Sequence, residues 1–272
     1  MSGEVEVESG ERGVVQVMLR NEGRLNAMSR AMWRQLRDVF VGLQKRSQSG
    51  DHSVRCVLVA GEGGAFCAGG DISEYPAFRF DATALRDFHE NDVWGGLAAM
   101  LASDVPVVAR IDGACMGAGL EIASCCDLRI AGDTARFGAP IAKLGFPMAP
   151  REARLVAGAV GDMTASHMLL EAATFSAAEM LTRGFLSRVV PGDQVAAEAL
   201  ASAVRIAGLA PQAARMNKQT FRAIKRPVTL DSKDNEAIEM IANGTTDPYA
   251  YADSAEHREG IAAFLQKRPP AF

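Results

Sequence analysis

Residues 112–132 read DGACMGAGLEIASCCDLRIAG and follow an apolar, β-branched run at residues 105–111, VPVVARI. Buried strand, small-residue turn, helical segment from about Gly119 and second strand at residues 127–131 succeed one another without a break. That alternation is the signature of an α/β core. Glycines in such a turn let the backbone approach a ligand closely and leave N–H groups free to meet an incoming oxygen.

The same arrangement occurs upstream. Residues 54–60, VRCVLVA, read as a buried strand that runs into GEGGAFCAGGD at residues 61–71. Two such turns at the ends of buried strands point to a functional site. Neither is a phosphate loop: no Lys follows Gly69, as GxxxxGKS/T requires, and Gly117 and Gly119 lack the third glycine of GxGxxG. There is no GxSxG elbow and no HExxH. The closest His–carboxylate pair at helical spacing, His167 with Glu171, reads as solvated, and no metal is expected.

Further out, Val5 and Val7, then Val15, Val17 and Leu19, predict a hairpin. Ser29 precedes Met32, Leu36, Val39, Phe40 and Leu43 at helical spacing. A helical stretch is expected over 81–101 and a strand at 189–190. Beyond Pro191 and Gly192 strand signals stop, and residues 195–223, 235–242 and 255–266 have helical composition. The expected division is an α/β core over 1–192 and a helical segment over 193–272.

The chain has 272 residues, 48% of them apolar, with 29 Lys and Arg against 33 Asp and Glu and a net charge of −4. That is material for one large core, and the charge disfavours nucleic acid as a partner. The longest stretch free of charged residues, 93–103, is far shorter than the roughly 20 residues a membrane span needs. The acidic, alternating start, MSGEVEVESGER, resembles neither a secretion signal nor a transit peptide, so a cytoplasmic protein is expected. Five cysteines, odd in number and without CxxC spacing, read as reduced core residues.

Residues 65–75, AFCAGGDISEY, and 112–132 together resemble the two signatures of the crotonase, or enoyl-CoA hydratase/isomerase, family. RLNAM at 24–28, ARFGAP at 135–140, FSAAEMLTRGFLSRVVP at 175–191 and EHREGIAAFLQKRPPAF at 256–272 extend the likeness over nearly the whole chain in the family's order. The resemblance implies a spiral core of ββα turns, a C-terminal helical oligomerisation segment, and homotrimers or dimers of trimers. It implies an acyl-CoA thioester as substrate, with coenzyme A part of that substrate and no separate cofactor. The oxyanion donors map to the N–H groups of Gly70 and Ala118. Coenzyme A contacts map to Arg24, Leu25, Ala27, Ala68, Asp71 and Ile72, with Gly117 and Ile141 also at the substrate; Lys267 is a candidate contact with a neighbouring subunit's cofactor.

Glu121, one helical turn past Ala118, is the candidate acid–base group, and its apolar neighbours Leu120, Ile122 and Ala123 imply burial and a raised pKa. Hydratases of the family carry a second Glu after the FGxP segment, where this chain has Ile141, and the glycine-rich stretch that follows is replaced by LGFPMAPREARL at 144–155. Glu74, Glu90 and Asp92 are candidates to take over the second role. Hydration of a 2-enoyl-CoA is the leading expectation; isomerisation, decarboxylation, hydrolysis and non-catalytic coenzyme A binding are the alternatives.

Overall fold

Alternating valines build the first hairpin. In the computed structural model, which describes residues 3–49, 53–224 and 254–272, β1 (Glu4–Ser9) pairs antiparallel with β2 (Val14–Arg20), Val7 facing Val17 and Val5 facing Leu19. Val15, Val17 and Leu19 are buried on one face. Ser29 caps α1 (Arg30–Gln48) by accepting from the Met32 N–H, and Met32, Trp33, Leu36, Phe40 and Leu43 form its buried stripe.

The later strands are β3 (Cys56–Gly61), β4 (Val107–Ile111), β5 (Ala114–Met116), β6 (Leu128–Gly132), β7 (Arg136–Gly138), β8 (Thr174–Ser176) and β9 (Arg188–Val190). Six make one sheet in the order β1-β2-β3-β4-β6-β9, parallel from β2 onward. The other three make a second sheet, β5-β7-β8. The helices are α2 (Ala82–Asp87), α3 (Trp94–Ala102), α4 (Ala118–Ser124), α5 (Pro150–Val160), α6 (Asp162–Leu170), α7 (Ala177–Thr182), α8 (Val195–Ala207), α9 (Pro211–Ile224) and α10 (Ala255–Leu265). The chain visits the sheets in turn, β4 then β5 then α4, and β6 then β7 then α5, which is the expected winding of ββα turns.

Two expectations are corrected. Residues 112–121 are not wholly loop, because β5 lies inside them; strands of three residues are too short to show a period of two. The helix expected over 81–101 is interrupted by a wider π turn, Phe88–Val93. Arg30 and Arg34 hold Asp92 in that turn through contacts of 2.6 Å each.

Packing is continuous across residue 192: Val195, Ala199, Ala203 and Ala207 of α8 cover Val14, Cys56, Leu58, Val108 and Ile130 of the large sheet. The helix expected over 235–242 lies outside the described residues. All five cysteines are buried and unpaired. Burial pushes the thiols of Cys56, Cys67 and Cys126 up to about 12, and those of Cys115 and Cys125 well above their ordinary value. A disulfide reagent at pH 8 should therefore react with none of them until denaturant is added; fast thiol release from the folded protein would contradict the burial.

Candidate active site

The turns that follow β3 and β4 meet edge to edge. The Cys67 N–H donates to the Ala114 carbonyl and the Met116 N–H to the Cys67 carbonyl, each at 2.9 Å. Glycine at 119 is what allows this approach, since a Cβ there would lie 2.5 Å from the Cys67 carbonyl oxygen. Gly117, at φ +47°, turns the chain into α4 and spends its own N–H on the Gly138 carbonyl at 2.9 Å.

Ala118 is thus the first residue of α4, and its N–H has no acceptor among the described residues. In the other turn, the Met28 N–H donates to Gly69 (2.8 Å) and the Asp71 N–H to Met28 (2.9 Å). Gly70 lies between these bonds with its N–H likewise unclaimed. Both residues line one cavity of about 350 Å³. Two unpaired amides at one cavity wall are a place for an oxygen that gains negative charge.

Packing holds α4 in place. Leu120, Ile122 and Ala123 are fully buried. At the helix's C-terminal end Arg129 donates to the carbonyls of Ala123 (3.3 Å), Cys126 (2.6 Å) and Phe185 (2.5 Å), putting a cation where the helix dipole is negative. The carboxyl of Glu121 faces the same cavity, only 9% exposed and without a hydrogen bond to any described residue. Burial first, and the nearby charge of Glu152 second, push its pKa up to about 8.

That shift has a stability consequence. The folded protein holds the Glu121 proton more tightly than the unfolded chain, so the stability present below about pH 4.5 is lost as pH rises toward 8. The slope from this group is at most about 1.4 kcal/mol per pH unit. Glu121→Gln removes it, so the variant should gain stability over the wild type between pH 5 and pH 8 and lose the advantage in acid. Denaturant midpoints at four pH values check this; a constant offset would show that Glu121 ionises normally.

Glu152, in the first turn of α5, is 2% exposed and lines the cavity beside Glu121. One of its oxygens lies 3.3 Å from Nδ1 of His89, which sits in the π turn and also lines the cavity. The three acids expected to stand in for the missing carboxylate are engaged elsewhere. Glu74 accepts from the Arg30 N–H at the start of α1, Glu90 pairs with Arg151, and Asp92 pairs with Arg30 and Arg34.

Sequence reasoning missed Glu152 and His89. An acidic residue in a helix's first turn reads as a dipole partner. The available signal was the departure at residues 144–155, which replaces glycine-rich sequence with a segment carrying a carboxylate.

Of the remaining expected residues, Ala68, Ile72, Gly117 and Ile141 line the cavity and Arg24, Leu25, Ala27 and Asp71 do not. Arg24 and Asp71 form an ion pair of 2.5 Å, and Arg24 also donates to Ser73. Leu25 is exposed and Ala27 buried beside them. His167 and Glu171 meet at 2.8 Å on the surface. Among the described residues no cluster of potential metal ligands occurs, and no helix is long and apolar enough to cross a membrane.

The model of the enoyl-CoA hydratase/isomerase family matches residues 9–272. A Mycobacterium bovis protein named as a probable enoyl-CoA hydratase is 35% identical over 82% of this chain and 81% of its own. The 2,3-dehydroadipyl-CoA hydratase of Escherichia coli is 31% identical over 97% and 96%. Among solved structures, an enoyl-CoA hydratase/carnitine racemase of Magnetospirillum magneticum superposes with a TM-score of 0.85 at 31% identity, covering 98% of this chain and 94% of that one.

Proposed function

Since the chain belongs to the enoyl-CoA hydratase/isomerase family, we propose that its cavity binds a 2-enoyl-CoA and adds water across the double bond conjugated to the thioester. The observation that carries this reading is the pair of unclaimed amides, Gly70 and Ala118, in the same cavity as two buried carboxyl groups. Attack at carbon three drives charge onto the thioester oxygen, and two fixed N–H groups stabilise the enolate that forms.

Glu121, its pKa raised to about 8, is protonated at neutral pH and suited to deliver a proton to carbon two. Glu152, oriented by His89, takes the proton that water sheds as its oxygen bonds to carbon three. Water is consumed, no redox step occurs, and the two carboxyls exchange roles for the return reaction. The only cofactor this chemistry needs is the coenzyme A that arrives in the substrate. Its arm is proposed to leave the cavity past Ala68 toward Leu25, whose carbonyl accepts from the Ala68 N–H at 2.9 Å. Arg24 and Asp71 would lie along that path, Arg24 as a phosphate contact.

Incubation with a panel of acyl-CoA esters in heavy-oxygen water tests the reading. Label at carbon three is expected; label in a freed acid, or loss of carbon dioxide, would replace hydration with hydrolysis or decarboxylation. Assembly as a homotrimer or a dimer of trimers belongs to the same proposal. It is supported by exposed apolar residues on the last helices, Phe221 and Ile224 on α9 and Phe264 and Leu265 on α10. Sedimentation at equilibrium checks it. A cytoplasmic location is supported by five reduced thiols.

A further inference from the structure

One cation in the cavity wall has no carboxylate to neutralise it among the described residues. Arg79 lines the cavity with Tyr75, Phe88 and Phe146. Its guanidinium carbon lies 3.5 Å from the centre of the Phe146 ring and 4.5 Å from that of Tyr75. Its own main-chain N–H donates to the Tyr75 carbonyl at 2.8 Å. The two rings fix the cation and displace part of its water, and burial lowers its pKa.

No carboxylate pairs with it among the described residues. The acids of the neighbouring segment are spent on Arg24, on the starts of α1 and α2, on Arg151 and on the Arg30 and Arg34 pair. A guanidinium half-removed from water without a counter-charge carries a cost that an incoming anion would offset.

Tyr75 links this cation to the reaction centre. A Cβ placed on Gly70 would collide with the Tyr75 hydroxyl, while Arg79 lies over the ring of the same side chain. The cation and the oxyanion donor therefore pack against the same side chain, in the wall of one cavity. The surrounding wall is aromatic and apolar, and a planar guanidinium matches a carboxylate in two parallel hydrogen bonds.

We propose that Arg79 sets the acyl specificity of the site by receiving a carboxylate at the far end of a short enoyl chain. The natural substrate class is then the mono-coenzyme A ester of a short unsaturated dicarboxylic acid. The inference rests on the thioester lying on the Gly70 and Ala118 amides.

Calorimetric binding of two saturated esters of equal chain length, adipyl-CoA and hexanoyl-CoA, tests it without relying on turnover. The wild type should bind adipyl-CoA about ten- to a hundredfold more tightly. Arg79→Gln should abolish that preference while hexanoyl-CoA binding stays within about twofold, which also shows that the variant is folded. Lys143→Gln, at an exposed lysine of the cavity mouth, should keep the preference. Equal affinity of the wild type for both esters overturns the proposal. An equal loss for both in Arg79→Gln does so too, because it assigns Arg79 to the phosphates of coenzyme A. If neither ester binds, the thioester site itself is wrong; if only the preference is missing, that site stands and Arg79's role falls.

Discussion

Glu121→Gln and Glu152→Gln are each expected to lower kcat for enoyl-CoA hydration by about 10²- to 10⁴-fold while thioester binding changes little. The effect is large because in the proposed reaction each carboxyl handles a different proton of the same event. Gln keeps the volume and polarity of the side chain but can neither give up nor collect a proton at the required moment. The two losses should not add: once one carboxyl is gone the reaction path has changed, and removing the second costs less.

Hydration of crotonyl-CoA, followed by the loss of enoyl-thioester absorbance, measures the rate, and calorimetry with a saturated ester measures binding. Unchanged turnover in Glu152→Gln would remove the second carboxyl from the mechanism. His89→Gln should be milder and should lower kcat with little change in KM, since His89 acts on the reaction through its 3.3 Å contact with Glu152.

The second large effect concerns the amides. Ala118→Pro deletes one N–H and should cost about 10²- to 10³-fold in kcat. The fold should tolerate it, because Ala118 is the first residue of α4, where that N–H has no helical partner and the fixed φ of proline suits the position. Activity lost with an unchanged melting temperature is the expected outcome. Full activity in a folded Ala118→Pro protein would show that this amide does not touch the thioester oxygen.

Gly119→Ala should behave differently. Its new methyl meets the Cys67 carbonyl at 2.5 Å and the Cys67 Cβ at 2.9 Å. Backbone on that side cannot yield as a side chain would, so the two turns are forced apart. Stability and kcat should fall together, the latter because both donors lose their register.

Much of this was legible before the structure. The alternating valines of the hairpin, the Ser29 cap and the β-branched runs of β3 and β4 each carry a local pattern that tertiary packing then reinforces. The two glycine turns at the cavity were legible because only glycine permits such close passage of two backbones, and because their residues resemble a known family. The second sheet was not, since β5, β7 and β8 hold three residues each and find partners only through the winding of the chain. The π turn shares the composition of the helices it joins. Glu152 escaped for another reason: its closeness to Glu121 arises from α4 packing on α5, a relation that spacing along the chain does not encode.

The division of labour between main chain and side chains bears on how such a protein changes over generations. In the proposed reaction the electrostatic trap for the enolate is made of peptide N–H groups, which survive almost any drift in side-chain identity provided the turns keep their shape. In that reaction the groups that choose the acyl chain and collect the proton of water, Arg79 and Glu152 with His89 beside it, hang instead from two excursions, residues 71–93 and 140–152. Those excursions can be rewritten without touching the trap: here they place Ile141 and the carboxylate of Glu152 in the cavity wall. New acyl preferences are then within reach by small steps, each leaving a working catalyst behind it.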